Sequence, residues 1–142
     1  KSRPRSAAVQ NMNDEIKIPD IDPNDPEAVA KYAVSVLDAR KAVNIKLLQV
    51  TDRTVIADYF IICCGNSRTQ IKALCDETEY RLGLCGIQKR HTEGEPDGGW
   101  MLLDYGSVII HVFSENARKT YNLEKLYQDT DEVDISGIVT DN

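Results

Sequence analysis

The sequence predicts a mixed α/β domain, a sheet of roughly five strands with helices packed mainly on one face. Two amphipathic helical stretches alternate with short apolar runs. One run, Ala57 to Cys63, is apolar on both faces, as a central strand must be. Trp100–Asp104 and Ser107–Phe113 flank Tyr105-Gly106 as a short-loop hairpin. Five strands at ~4.8 Å make a sheet ~24 Å wide, and two helices ~10 Å apart cover ~20 Å of one side. A chain of 142 residues, 42% hydrophobic and 28% charged, suits one domain with a real core.

Residues 1–24 read as a flexible lead: they are polar, proline-interrupted and aperiodic. The chain opens on Lys1 rather than Met, so the first eleven residues are set aside as a processing remnant. Asp25-Pro26-Glu27 then supplies an N-cap, a proline at the first helical position and an acid in the first turn. Val29, Ala33, Val36 and Leu37 follow at helical spacing, giving a helix over about 26–42. Ile45–Val50 and Ala57–Cys63 read as strands. Ser67 and Gln70 form a capping box ahead of the stripe Ile71, Leu74, Cys75, Thr78 and Leu82, so a second helix spans about 68–83. Ile87–Thr92 is a weaker strand and Glu95–Gly99 a turn. Ser114 caps a short helix over 115–120, and Tyr121–Tyr127 adds a turn or two. The domain therefore covers 25–127, and 128–142 reads as an acidic tail in which Val133-Asp134-Ile135 makes at most a brief extended piece.

The hairpin shows apolar side chains on both faces. Trp100, Leu102 and Asp104 share one, Met101 and Leu103 the other. The second face must therefore meet the C-terminal helices, a second copy or a different protein. Overall, 17 basic and 23 acidic residues leave a charge of −6, and the acidity persists between the basic start and the acidic end. Phosphate-gripping proteins are basic, so this balance points to a basic protein partner. Apolar runs of a handful of residues rule out a transmembrane helix of about 20. The cysteines at 63, 64, 75 and 85 form neither a disulfide framework nor a metal spacing, and read as buried thiols in a reducing compartment.

No catalytic constellation emerges. His111 beside acids and cysteines invites a hydrolase reading, but no nucleophile elbow precedes any cysteine. Gly65-x-Ser67 resembles the turn that opens the nucleotidyltransferase motif. That chemistry needs two carboxylates one residue apart on a strand, whereas Asp76, Glu77 and Glu79 fall on the second helix and face different ways. No phosphate loop or dinucleotide fingerprint is present, so no cofactor or metal is expected. Trp100 and Tyr105, at the two ends of the hairpin's first strand, are the candidate interface anchors.

Several motifs in order carry a resemblance: Ala57-Asp58-Tyr59-Phe60-Ile61-Ile62, Gly65-Asn66-Ser67, Gly99-Trp100-Met101-Leu102-Leu103-Asp104-Tyr105-Gly106, Val108-Ile109-Ile110-His111-Val112-Phe113 and Arg118-x-x-Tyr121-x-Leu123-Glu124. Together they resemble the ribosomal silencing factor (RsfS, Iojap) family from about Asp25 to Tyr127. The resemblance implies a nucleotidyltransferase-like fold without the active site and a non-enzymatic role. It implies binding to the fourteenth protein of the large ribosomal subunit, blocking small-subunit joining and lowering translation when nutrients are scarce. Organellar relatives imply large-subunit assembly as an alternative. Carried over by motif position, the partner surface comprises Trp100, Leu102, Asp104 and Tyr105, with His111 and neighbouring acids in support. A homodimer, a cytoplasmic or organellar location and little direct nucleic-acid contact complete the expectation. Tyr127, where the family often has tryptophan, is a departure. The competing readings are a metal-dependent nucleotidyltransferase-like enzyme and a scaffold acting through dimers.

Overall fold

The structure is a computed structural model, and it describes residues 17–140. In chain order the elements are α1 (Pro26–Ala39), β1 (Val43–Gln49), β2 (Tyr59–Cys64), α2 (Arg68–Leu84), β3 (His91–Glu95), β4 (Trp100–Asp104), β5 (Val108–Phe113), α3 (Glu115–Tyr121), α4 (Leu123–Leu126) and β6 (Asp131–Glu132). The strands form one sheet in the order β3-β4-β5-β2-β1-β6. Central β2 and β5 run parallel, and the other pairs run antiparallel. The roughly five expected strands are present, joined by a two-residue sixth at the edge.

The caps form as the sequence dictates. Asp25 accepts from the Ala28 N–H, Ser67 from Gln70 and Ser114 from Ala117. The Gln70 side chain reaches back to the Asn66 N–H, closing the reciprocal box one residue earlier than the usual pattern. α1 stops three residues early because Lys41 turns left-handed at φ 70, with the Ala42 N–H returning to the Leu37 carbonyl. No glycine announces that stop, so the sequence did not signal it.

β3 lies later than Ile87–Thr92. Ile87 is buried, and its N–H bonds the Leu82 carbonyl beyond a left-handed Gly86, so it finishes α2. Every residue of β3 is exposed, and only its pairing with β4 makes it a strand.

Both faces of the sheet are covered. Under α1 and α2 lie Leu47, Ile61, Cys63, Leu103, Val108, Ile110 and Val112 with Val34, Leu37, Ile71 and Leu74. Truncating Leu37, wholly buried there, would cost about 3 kcal/mol. On the other side Leu48, Phe60, Ile62, Cys64, Ile109 and Phe113 meet Ala117, Leu123 and Tyr127. Cys63 and Cys64 thus point to opposite faces, and all four cysteines are free thiols.

The boundary expected at 127 does not mark the limit of packing. β6 pairs with β1, the Val133 N–H bonds the Leu47 carbonyl, and Val133, Ile135, Ile138 and Val139 pack on the α1/α2 core. Four sparse apolar residues sufficed, because they fill the open sheet edge. Of the expected lead, residues 1–16 lie outside the described residues, and Ile21 packs against the same core.

Candidate functional site

β4 alternates half-buried and buried from Trp100 to Asp104, because Met101 and Leu103 enter the α1/α2 core while Trp100 and Leu102 turn to the other side. Paired residues of antiparallel strands point the same way. Glu95 therefore stands beside Trp100, Glu93 beside Leu102, and His91 beside Asp104. On the far side of β4 the partners are Phe113, His111 and Ile109. The outcome is a half-exposed indole and leucine bordered by the carboxylates of Glu93, Glu95 and Asp104.

Two glycines hold Trp100 in place. Gly94 adopts φ 90, and a Cβ there would collide with the Trp100 carbonyl oxygen. Gly99 adopts φ 78, and a Cβ there would come within 2.7 Å of the Ser114 hydroxyl. The indole then packs, tilted, against Tyr121 and Phe113, with ring centroids 4.5 and 5.1 Å away. Its Nε1–H donates to Nδ1 of His111 at 3.2 Å.

His111 is 4% exposed, so it underlies the surface rather than forming part of it. Burial pushes its pKa down to about 4, and the ring is neutral near pH 7. Because Nδ1 accepts from Trp100, the proton sits on Nε2, which is buried without a partner. Phe60 meets the imidazole edge-on at 4.8 Å.

Asp104 is committed in part. Its Oδ1 accepts the Gly106 N–H at 2.7 Å, and its Oδ2 lies 3.5 Å from His91 Nδ1. Tyr105 corrects the expectation: it is buried in the α1/α2 core with its hydroxyl unpartnered, and burial raises its pKa. As the first residue beyond β4 it continues the pleat to the face opposite Asp104, away from the half-exposed indole.

Sequence reasoning missed Tyr121 and Arg118. Tyr121 is 50% exposed and extends the aromatic surface of Trp100. Arg118 is buried and binds Glu124 through Nε at 3.0 Å and Nη2 at 3.1 Å, while Nη1 donates to the Asn44 carbonyl at 2.7 Å. This pins α3 to β1. The Arg118 hydrogen bonds hold the Glu124 carboxyl below the usual carboxylate range. The i, i+6 spacing of this pair gave no helical signal, because the left-handed Asn122 breaks the helix between them.

The carboxylates weighed for metal chemistry are occupied otherwise. Asp76 pairs with Lys72 at 2.8 Å, Glu77 with Arg40 and Arg81 at 3.1 and 2.8 Å, and Glu79 with Lys89 at 2.6 Å. Among the described residues no cluster of three His, Cys, Asp or Glu is placed to hold a metal. No helix among them is long and apolar enough to cross a membrane.

Residues 23–142 match the family model described as "Ribosomal silencing factor during starvation". The chain is 35% identical over 114 residues to the ribosomal silencing factor RsfS of Halalkalibacterium halodurans, covering 80% of this chain and 97% of that protein. A mouse protein named for mitochondrial assembly of the ribosomal large subunit is 31% identical over 100 residues, covering 66% and 42%. A crystal structure of a Chromobacterium violaceum protein superposes with a TM-score of 0.71 at 29% identity, over 73% of this chain and 87% of that one. With a family model matching residues 23–142, and the relatives and the fold in agreement with it, the chain belongs to the ribosomal silencing factor family.

Proposed function

We propose that the chain docks on the large ribosomal subunit through its fourteenth protein and sterically blocks joining of the small subunit, lowering translation when nutrients are scarce. One observation carries this reading: Trp100 and Leu102 stand half-exposed on one sheet face with Glu93, Glu95 and Asp104 along their border. An apolar anchor rimmed by carboxylates suits a basic protein surface, with the acids steering encounter and the indole supplying affinity. The net charge of −6 speaks for protein rather than phosphate contacts. Nothing in this action calls for a catalytic group, a cofactor or a second copy, and it takes place wherever ribosomes assemble, in the cytoplasm or an organelle. Sedimentation with large subunits, small subunits and their mixture is the test. The chain pellets with large subunits alone and shifts the mixture away from joined ribosomes; equal pelleting with small subunits refutes the reading.

Large-subunit assembly is the second reading, favoured by the mouse relative's name. In that case depleting the protein accumulates immature large subunits, rather than raising translation in starved cells.

A further inference from the structure

We propose that His111 is a positioning residue for Trp100, its Nδ1 lone pair fixing the indole in the orientation that the partner meets. This rests on reading Trp100 as the anchor. Three neighbours converge on the indole, and two of them, Phe113 and Tyr121, offer only apolar ring contacts, tilted at 5.1 and 4.5 Å. The hydrogen bond to His111 at 3.2 Å is the directional contact among the three, tying the Nε1 edge of the indole to one side.

Keeping histidine here is costly. Its Nε2–H is buried without an acceptor, and the ring lies among Phe60, Phe113 and Trp100, where a leucine would bury no polar atom of its own. The acceptor for Trp100 is what a leucine would lack. An ordered indole loses less freedom on docking, so removing the acceptor weakens binding by about 5- to 10-fold.

Trp100 is the single tryptophan, so fluorescence excited on the red edge, where tyrosine does not absorb, reports on it alone. The experiment compares His111→Leu and His111→Asn, the latter placing an oxygen where Nδ1 stands. Expected for His111→Leu are unchanged or higher thermal stability, lower indole anisotropy in the free protein, and binding to purified large subunits weakened by about 5- to 10-fold. His111→Asn restores anisotropy and binding. Unchanged anisotropy in the leucine variant overturns the proposal. So does a fall in its stability that parallels the lost binding, which would mark His111 as an ordinary core residue, or an asparagine variant that restores nothing. If Trp100→Ala binds large subunits normally, the docking surface itself is wrong, and the anisotropy of the free protein still judges His111 separately.

Discussion

Asp104 and Tyr105 are neighbours in sequence and lie on opposite sides of the sheet. The carboxylate borders the Trp100 face and accepts the Gly106 N–H, while the tyrosine ring fills the core beneath α1 and α2. A peptide that reads as one interface motif is therefore divided between the two faces of the sheet.

Trp100→Ala is expected to weaken large-subunit binding at least ~30-fold while the domain stays folded, since a central aromatic anchor is worth ~2 to 4 kcal/mol. Asp104→Lys weakens binding similarly, but it also removes the turn bond to Gly106. Asp104→Asn keeps that acceptor and isolates the charge. Asp131→Lys, on an exposed β6 position, changes binding little. Affinity and thermal unfolding measured together check all four, and a folded Trp100→Ala with normal affinity refutes the surface.

Tyr105→Phe separates the other half of the motif. Removing a buried hydroxyl that has no partner leaves stability unchanged or raises it by up to about 1 kcal/mol, with binding unaffected. Denaturant unfolding measures this, and a tenfold loss of binding would return Tyr105 to the interface.

Arg118→Ala strips the link between α3 and the sheet, leaving Glu124 with Lys46 alone at 3.1 Å. Breaking a buried, hydrogen-bonded pair costs about 3 kcal/mol. The expected reading is a lowered Tm together with faster amide exchange through residues 115–127.

Acid should destabilise the fold partly through His111. Its folded pKa, about 4, lies below the ordinary value of 6.5, so between those values the unfolded chain binds a proton that the folded chain refuses. Stability is therefore full above about pH 6.5 and falls as pH drops toward 4, by about 3 kcal/mol over the window. Carboxylates such as Glu124 add their own acid loss at lower pH in any variant. Tm recorded at pH 7 and 4.5 for the unmodified chain and His111→Leu isolates the histidine's part, and equal slopes would contradict it.

The sequence by itself determined the elements whose signals are local. Asp25, Ser67 and Ser114 cap their helices because a side-chain oxygen three residues ahead of an N–H satisfies it wherever the helix goes. The pleat likewise fixed that Trp100, Leu102 and Asp104 share a face. Tertiary structure decided what covers each face. α3, α4 and Tyr127 take the Phe60 side and leave Trp100 half-exposed, while α1 and α2 take Tyr105. It also decided β3, an exposed run that becomes a strand only by bonding β4, and the docking of Val133 to Val139 beside β1. Alternation tells which residues point together. Which of those sets is buried depends on the elements that pack against them, and those arrive from distant parts of the chain.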